Sequence, residues 1–248
     1  MSDDFAGLGA IVTGGSSGIG FAVASLLAER GAGVVLVARD PGRLASAAEK
    51  IGGRVAVVAG DASHAATAQF AVATALERFG RLDVLANIAG WYPTALVEHT
   101  SDEDYGATIA ANLTSTFVMC RAALPALRAA GGAIVNMSST AARFPTPGLA
   151  AYSAAKAGIE AFTRALAAES APLVRVNAVS AGPTLTEAVR ELMETDTTGA
   201  VKAVTSGLPM GRLAETSEIA EAVLFLASHR ASVITGQVLH ANSGGHMA

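Results

Sequence analysis

A tyrosine and a lysine four residues apart, Tyr152 and Lys156, are the pair in this sequence that points most directly to chemistry. On a helix this spacing places both side chains on one face, one turn apart. A phenol has an ordinary pKa of about 10, which is too high for easy proton exchange at neutral pH. A neighbouring ammonium group stabilises the phenolate and lowers that pKa. The pair therefore predicts a tyrosine that exchanges a proton with a substrate.

Two further polar residues are placed where they could assist this tyrosine. Ser139 ends a predicted buried strand, 13 residues before Tyr152. Asn112 lies 27 residues before Ser139, inside a helical segment where asparagine is a poor helix former. Because doubly wound sheets bind ligands at the carboxyl ends of their strands, Ser139 is expected at a ligand site.

A turn rich in glycine, Thr13-Gly-Gly-Ser-Ser-Gly-Ile-Gly20, follows the first predicted strand and opens the first predicted helix. Small residues let the backbone approach a pyrophosphate closely. The helix N-terminus adds free N–H groups and the positive end of its dipole. The turn therefore predicts a dinucleotide site.

The end of the second predicted strand bears on the choice of dinucleotide. NAD-specific proteins usually carry an acid there, which binds the ribose hydroxyls and repels a 2′-phosphate. Here the strand ends in Ala38, Arg39 and Asp40, and Arg39 can form a charge-assisted pair with a 2′-phosphate. Asp40 either pairs with Arg39 or lies in the turn that follows. The sequence favours NADP(H) and leaves NAD(H) open.

The scaffold that positions these residues follows from the hydrophobic pattern. Short apolar runs alternate with longer amphipathic segments, which predicts a doubly wound parallel sheet of Rossmann type, α/β in class, with about seven strands and helices on both faces. The predicted strands are 8–13, 34–38, 55–59, 82–87, 133–137, 174–179 and 237–240, and the predicted helices are 19–30, 43–51, 65–79, 101–130, 150–169 and 217–228.

We predict one domain over 1–248, because no linker, repeat or low-complexity tract interrupts the pattern. The segment at about 184–215 breaks the alternation, with one short helical pattern around 187–194. Long irregular segments of compact domains are often lids, and we predict a substrate lid here.

Composition limits the possible binding partners and the cellular location of the protein. The net charge of −4 excludes a basic footprint for nucleic acid, and the five histidines and single cysteine show no metal-ligand spacing. We therefore expect no nucleic-acid partner and no metal. Gly, Arg or Asp interrupts every apolar stretch before it reaches the length of a membrane span, so we expect no membrane partner and a cytoplasmic protein.

Taken together, the motifs resemble those of the short-chain dehydrogenase/reductase family in its shorter, single-domain branch. The resemblance runs from about Gly9 to the C-terminus. It is carried by the glycine turn, Asp61 after the third strand, Asn87-x-Ala-Gly90, Asn112, Ser139, Tyr152-x-x-x-Lys156, Asn177-Ala-Val179 and Thr235-Gly-Gln-Val-Leu239.

The resemblance implies a nicotinamide-dependent oxidoreductase that interconverts a ketone or aldehyde and an alcohol by hydride transfer. Tyr152 would give its proton to the carbonyl oxygen and Ser139 would hydrogen-bond the same oxygen. Lys156 would lower the pKa of Tyr152 and bind the nicotinamide ribose, and Asn112 would hold a water that links Lys156 to solvent. The implied cofactor-binding residues are Gly14, Ser16, Ser17, Gly18, Ile19, Gly20, Arg39, Asp61, Ala62, Asn87, Ala89, Gly90, Tyr152, Lys156, Gly182, Thr184 and Thr186.

The expected substrate is a small carbonyl or alcohol compound, and apolar residues near the predicted site are candidates for its pocket wall: Trp91, Tyr92, Phe144, Leu192 and Met193. A 3-oxoacyl-thioester (acyl carrier protein) reductase of fatty acid or polyketide synthesis is an alternative. It needs a basic patch for its acidic carrier, for which Arg121, Arg128 and Arg143 are candidates.

Two more remote alternatives are a non-catalytic nucleotide-binding regulatory protein, which predicts loss of Tyr152, Lys156 or Ser139, and an elimination enzyme that has abandoned the cofactor. The resemblance also implies a homotetramer, with the apolar faces of 101–130 and 150–169 in one interface.

Overall fold

The computed structural model of the chain describes residues 4–197 and 199–247. Within them, seven strands form one sheet in the order β3-β2-β1-β4-β5-β6-β9, and every neighbouring pair is parallel. The strands of this sheet are β1 Gly9–Thr13, β2 Gly33–Ala38, β3 Val55–Ala59, β4 Val84–Asn87, β5 Ala133–Ser139, β6 Arg175–Ala181 and β9 Val238–Ala241.

Helices cover both faces of the sheet, so the predicted architecture is confirmed. One apolar cluster packs α1, α2 and α9 on one face, and another packs α3, α5 and α6 on the opposite face. The helices are α1 Gly18–Glu29, α2 Pro41–Ile51, α3 Ala65–Phe79, α4 Asp102–Ile109, α5 Ser115–Ala130, α6 Ala150–Ser170, α7 Glu187–Thr195, α8 Ala200–Ser206 and α9 Thr216–Ala227.

The strand order reverses between β1 and β4. From β1 the chain adds β2 and β3 on one side, then crosses back to add β4, β5, β6 and β9 on the other. The crevice outside the carboxyl ends of two such strands is where open α/β sheets bind ligands. The fold therefore brings the glycine turn after β1 and the loop after β4 to one place.

The helix predicted over 101–130 is confirmed as a continuous helical run from Asp102 to Ala130, but it contains an irregular turn that the sequence pattern did not predict. α4 and α5 are separated by a π-helical turn, Ala110–Thr114, which contains Asn112. The side chain of Asn112 donates to the carbonyl of Thr108, and the hydroxyl groups of Ser115 and Thr116 donate to the carbonyl of Asn112. These bonds satisfy backbone groups that a regular helix would pair differently.

The irregular segment at 184–215 contains more regular structure than its sequence pattern indicated. The predicted helix around 187–194 is present as α7, and α8 follows it. Two short parallel strands, β7 Thr184–Leu185 and β8 Ala214–Glu215, pair at the two ends of the segment. Its ends are therefore held together beside the main sheet.

One helical run, Asp102–Ala130, is long and apolar enough to cross a membrane by length and composition alone, and 44% of its most apolar window is buried inside the molecule. Arg121 and Arg128 interrupt its apolar sequence. Core helices of soluble proteins satisfy the same two criteria, and α5 packs in the core through Met119 and Leu127.

Candidate active site

Helix α6 places Tyr152 and Lys156 on one face, as their spacing predicts. The Nζ of Lys156 lies 5.4 Å from the centre of the Tyr152 ring and donates to the carbonyl of Met137 at 2.8 Å. Ser139, at the end of β5, shares a hydrogen bond with the Tyr152 hydroxyl. Two residues, Lys156 from α6 and Ser139 from β5, therefore lie beside the phenol of Tyr152.

The protein's own groups shift the two pKa values in an unexpected direction. Burial raises the pKa of Tyr152, and Tyr92 raises it further, while the hydrogen bond with Ser139 opposes both only in part. Burial lowers the pKa of Lys156 to about 7. An amine that is only partly protonated at neutral pH, and that donates to Met137, does not by itself lower the pKa of Tyr152 as predicted.

Asn112 is fully buried, and its side chain is held from two sides. Its Nδ2 donates to the carbonyl of Trp91 at 2.7 Å and to that of Thr108 at 2.8 Å. Its Oδ1 is buried and has no partner within the described residues. A methyl group added at Gly90 would lie 2.7 Å from this Oδ1 and 3.5 Å from the Nζ of Lys156. The unpaired oxygen and the amine therefore flank the same space, which suits a bridging water.

The glycine turn after β1 is packed against the loop after β4. A Cβ on Gly14 would approach the Cα of Ala89 to 3.0 Å, and a Cβ on Gly20 would lie 2.2 Å from the carbonyl oxygen of Gly14. The hydroxyl of Thr13 accepts from the N–H groups of Ile88 and Ala89, both at 3.0 Å. Glycine is thus required at both positions by close contacts within the protein.

The N-terminus of α1 has the features of an anion site. Ser17 is its N-cap residue, but its side chain makes no capping hydrogen bond. Ser16, Ser17, Gly18 and Ile19 are each partly exposed there. Free N–H groups at a helix start bind phosphate, and the small residues leave the backbone accessible. The turn therefore fits the pyrophosphate of a dinucleotide.

The structure decides between the two placements of Asp40 that the sequence left open. The Oδ1 of Asp40 accepts from the backbone N–H of Arg43 at 2.9 Å and caps α2. Arg39 is exposed at the carboxyl end of β2, two residues after Val37, whose carbonyl accepts from the N–H of Gly14 at 2.8 Å. The backbone at Arg39 therefore lies close to the glycine turn.

Asp61 stands after β3, on the same side of the site as Arg39. Its Oδ1 accepts from the N–H and the hydroxyl of Ser63 at 2.8 and 2.7 Å. Burial acts to raise the pKa of Asp61, but the bonds from Ser63 and the nearby His64 and Arg39 outweigh it, and the pKa lies below its ordinary value. Asp61 therefore presents a charged carboxylate near Arg39.

Not all of the predicted cofactor residues point toward the crevice. Asn87 is buried, and its Nδ2 donates to the Oδ1 of Asn136 at 2.9 Å in the core. Ala62 is buried in the apolar cluster under α3. Gly182 packs against the backbone of Asn242, and the hydroxyl of Thr184 donates to the carbonyl of Gly182. These residues support the loops whose backbone borders the site.

Thr186 lies at the glycine turn. A Cβ on Gly18 would be 3.5 Å from the Cγ2 of Thr186, whose own hydroxyl accepts from the N–H of Val189 and caps α7. The segment at 184–215 therefore reaches the crevice where it begins.

Of the candidate substrate residues, Tyr92 contacts the ring of Tyr152. The centres of the Tyr92 and Tyr152 rings are 4.2 Å apart, with an angle of 37° between the rings. Trp91 and Phe144 are exposed in the loops after β4 and β5, and Leu192 and Met193 are exposed on α7. The structure brings Tyr92 into the site and leaves the other four on nearby surfaces.

A buried carboxylate beside the site was not singled out in the sequence. Glu160 accepts from the hydroxyl of Ser138 and from the Nε of Arg143, both at 2.9 Å. A signal was present, because Glu160 follows Lys156 by one helical turn and so shares its buried face. The network ties α6 to the end of β5 and to the loop that follows Ser139.

The site combines a glycine turn at the switch point of a doubly wound sheet with a cluster of Tyr152, Lys156 and Ser139 near the carboxyl ends of the next strands. These features define a Rossmann-type oxidoreductase. A family model described as enoyl-(acyl carrier protein) reductase matches residues 14–246. The 3-oxoacyl-(acyl-carrier-protein) reductase FabG of Chlamydia muridarum is 38% identical over 241 residues, which cover 95% of this chain and 96% of that protein. The D-threitol dehydrogenase of Mycolicibacterium smegmatis is 39% identical and covers 95% and 91%.

A solved structure described as a short-chain dehydrogenase/reductase, glucose/ribitol dehydrogenase, from Brucella melitensis aligns over 100% of both chains, with a TM-score of 0.93 and 38% identity. The chain therefore belongs to the short-chain dehydrogenase/reductase family. It is an oxidoreductase, and membership of this family implies a nicotinamide cofactor.

Proposed function

We propose that the protein interconverts a ketone or aldehyde and an alcohol, with Tyr152 as the general acid/base. The observation that carries this proposal is the hydrogen-bonded pair of Ser139 and Tyr152 beside the buried amine of Lys156. When bound, the nicotinamide supplies the hydride for reduction or accepts it in oxidation. The polypeptide has to hold the carbonyl oxygen and move one proton.

Tyr152 carries its proton at neutral pH, because burial and Tyr92 hold its pKa above the ordinary value. In reduction it donates that proton to the substrate oxygen. Ser139 places a second O–H beside the first, so one oxygen can accept from both as negative charge develops on it. The resulting phenolate lies next to Lys156, whose protonated form stabilises it.

Asn112 and Gly90 complete the proton path in this proposal. The unpaired Oδ1 of Asn112 and the Nζ of Lys156 flank the space beside Gly90, where a water can join the amine to solvent. The role of Asn112 is thus to hold that water and, through its bond to Trp91, the loop after β4.

The test is Tyr152→Phe in a screen of ketones and aldehydes. Loss of general acid catalysis should lower kcat by about 10²–10⁴-fold while the dissociation constant for the reduced cofactor stays within about threefold. Binding is measurable without turnover, because Trp91 is the single tryptophan and its emission reports ligand nearby. A variant that retains wild-type kcat would overturn the role of Tyr152.

We also propose that NADP(H) is preferred over NAD(H). Asp40 is engaged in capping α2, and Arg39 makes no hydrogen bond or ion pair within residues 4–197 and 199–247, so its guanidinium group is available to a 2′-phosphate. Asp61 opposes a preference for NADP(H), because its carboxylate is charged and near Arg39. Measured affinities for NADPH and NADH show whether Arg39 or Asp61 has the larger effect.

Titration of NADPH and NADH against the wild type and Arg39→Ala tests this preference. We expect NADPH to bind at least about tenfold more tightly, and the substitution to remove about 1–2 kcal/mol of that difference. Arg43→Ala is the matched control, since Arg43 is also exposed at this end of α2 and contributes only its backbone N–H to the Asp40 cap. Equal binding of NADH would contradict the proposal.

The segment at 184–215 is proposed to be the substrate lid. It meets the glycine turn through Thr186, and Arg190 pairs with Glu215 at 2.8 Å across its base. Leu192 and Met193 are exposed on it and offer apolar contacts to a substrate. Cofactor should protect α7 from limited proteolysis if the segment closes, and an unchanged cleavage rate would count against a lid.

Reduction of a 3-oxoacyl group on acyl carrier protein is a second candidate, favoured by the names of the matching relatives. Two of the three arginines that are candidates for the basic patch it requires contact other side chains of the protein. Arg143 is paired with the buried Glu160, and Arg121 lies 5.2 Å from the centre of the Phe117 ring. A preference of more than about tenfold in kcat/KM for the carrier-bound substrate over its free thioester would establish this candidate.

The homotetramer, the cytoplasmic location and the absence of a membrane partner stay predictions. Light scattering after size-exclusion chromatography tests the first, and a monomer at micromolar concentration would contradict it.

A further inference from the structure

Tyr92 forms an outer layer over the reactive tyrosine. Its ring centre is 4.2 Å from that of Tyr152, and the two planes are tilted by 37°. Tyr92 is 46% exposed, whereas Tyr152 is partly buried beneath it. Aromatic rings packed together in a tilted arrangement attract each other beyond the effect of the area they bury. The contact therefore acts to orient the Tyr152 side chain.

The loop that carries Tyr92 is fixed on both sides of the residue. The carbonyl of Trp91 accepts from the Nδ2 of Asn112 at 2.7 Å. The N–H of Ala95 donates to the carbonyl of Gly148 at 3.0 Å, just before α6 begins. One anchor is a proposed site residue and the other precedes the helix that carries Tyr152. The placement of the Tyr92 ring is therefore built into the same framework as the site.

We propose that Tyr92 is a positioning residue, whose ring packs on Tyr152 and holds the phenol O–H against Ser139, in the orientation from which it donates to a carbonyl. The proposal rests on the function proposed above. It goes beyond a substrate wall, because Tyr92 acts on the protein's own acid/base group. Because this packing favours the protonated form of Tyr152, the protein should favour carbonyl reduction over alcohol oxidation near neutral pH.

Two properties of Tyr92 produce this bias. Its ring shields Tyr152 from water, and burial is the largest cause of the raised pKa of Tyr152. Its hydroxyl adds a smaller, unfavourable electrostatic effect on the phenolate of Tyr152. Tyr92→Ala removes both effects, and Tyr92→Phe removes only the second. Comparing the effects of the two variants on Tyr152 therefore distinguishes the contribution of the Tyr92 ring from that of its hydroxyl group.

The composition of the chain makes the phenol directly observable. It has three tyrosines, Tyr92, Tyr105 and Tyr152, so replacing Tyr105 with Phe leaves two. Tyrosine labelled with ¹³C at Cζ gives one NMR signal per residue, and that signal moves when the phenol ionises. Tyr92→Phe in the Tyr105→Phe background then assigns the remaining signal to Tyr152. This measurement needs neither substrate nor cofactor.

In the Tyr105→Phe background, the Tyr152 signal should stay at its neutral position up to about pH 11, while Tyr92→Ala should lower its midpoint by at least about one pH unit. Tyr92→Phe should give a smaller shift in the same direction. Phe144→Ala is the matched control, because Phe144 is another exposed aromatic near the site and makes no ring contact with Tyr152 among the described residues. A Tyr152 signal whose titration is unchanged by Tyr92→Ala overturns the proposal.

Kinetics give an independent readout. Tyr92→Ala should lower kcat for reduction by about tenfold, Tyr92→Phe should restore it to within about threefold, and the alkaline limb of alcohol oxidation should move to lower pH with Tyr92→Ala. Equal losses in both variants would contradict positioning by the ring. If no carbonyl substrate is turned over while the NMR shift is observed, the proposed function fails and the positioning role stands.

Discussion

The Nζ of Lys156 donates to the main-chain carbonyl of Met137 at 2.8 Å, so a fully buried amine is held by a neutral acceptor. Burial without a carboxylate partner disfavours the ammonium form and lowers the pKa of Lys156 to about 7. The same position beside Tyr152 that serves the proposed proton transfer therefore costs stability whenever Lys156 is protonated.

The first prediction concerns Lys156 and the pH dependence of folding. The pKa falls from 10.5 to about 7 on folding, so the unfolded chain binds more protons between these values. The contribution of this group therefore makes the free energy of unfolding rise with pH across the window, by up to about 1.4 kcal/mol per pH unit. Below about pH 7 both states are protonated and the slope disappears.

Urea unfolding of the wild type and Lys156→Met at several pH values between 7 and 10 checks this. The difference between the two free energies should grow in favour of the wild type as pH rises. Lys50→Met is the control, because Lys50 is exposed in the last turn of α2. Parallel curves for the wild type and Lys156→Met would show that the pKa of Lys156 is not lowered.

The second prediction concerns Gly90. An added Cβ would lie 2.7 Å from the Oδ1 of Asn112, so Gly90→Ala forces the amide away from its bonds to Trp91 and Thr108. We expect a loss of about 1–3 kcal/mol in the free energy of unfolding and at least a tenfold fall in kcat. The measurements are urea unfolding and steady-state reduction kinetics.

Gly106→Ala is the matched control for Gly90. A Cβ at Gly106 meets nothing within 4 Å, and α4 gains helix propensity. This variant should be as stable as the wild type or more stable by about 0.5–1 kcal/mol, with unchanged kcat. Similar losses in both variants would mean that the space beside Gly90 has no special role.

The strands of the main sheet could be predicted from sequence because both of their faces are buried. A run such as Val34 to Val37 is continuously apolar, and the structure places its residues alternately in the two clusters. The π-helical turn could not be predicted in this way. The bond from Asn112 to the carbonyl of Trp91 joins residues 21 apart, and hydrophobic periodicity carries no signal of such a contact.

The site likewise has features that local sequence predicts and features that depend on tertiary structure. The spacing of Tyr152 and Lys156 correctly placed them on one helix face, because helical geometry is local. The rise in the Tyr152 pKa that burial and Tyr92 cause could not be predicted, because both causes come from the tertiary structure. Glu160 was overlooked for a related reason, since its partners Ser138 and Arg143 lie on other elements.

The third prediction concerns the ion pair of Arg143 and Glu160. Arg143→Ala leaves a buried carboxylate with only the hydroxyl of Ser138, and should lower the free energy of unfolding by about 3 kcal/mol. Glu160→Gln alone should cost about 1–3 kcal/mol. The double variant should be more stable than the sum of these losses predicts, because it leaves no unpaired charge in the core.

A double-mutant cycle by urea unfolding measures this coupling. Additive losses would show that Arg143 is held in solvent rather than by Glu160. The cycle also bears on the carrier-protein candidate. If Arg143→Ala changes stability without changing kcat/KM for a carrier-bound substrate, Arg143 is a structural residue and not part of a docking patch.

The last prediction concerns the amino ends of β1 and β4, at the opposite end of these strands from the site. Asp83 accepts from the backbone N–H of Gly9 at 2.9 Å and from two nitrogens of Arg81 at 2.8 and 2.6 Å, so it joins the amino ends of β1 and β4. Asp83 is buried whereas Arg81 is 47% exposed, which makes the bond to Gly9 the more costly one to lose.

Asp83→Asn should therefore lower the free energy of unfolding by about 1.5–3 kcal/mol, and Arg81→Ala by about 1 kcal/mol or less. Both should keep kcat and the cofactor dissociation constant of the wild type at temperatures where they are folded, because β1 and β4 carry the glycine turn and the Tyr92 loop at their other ends. Urea unfolding and steady-state kinetics on the same samples separate the two effects. A fall in kcat for folded Asp83→Asn would show that strand pairing at the amino ends is transmitted along β1 and β4 to the crevice.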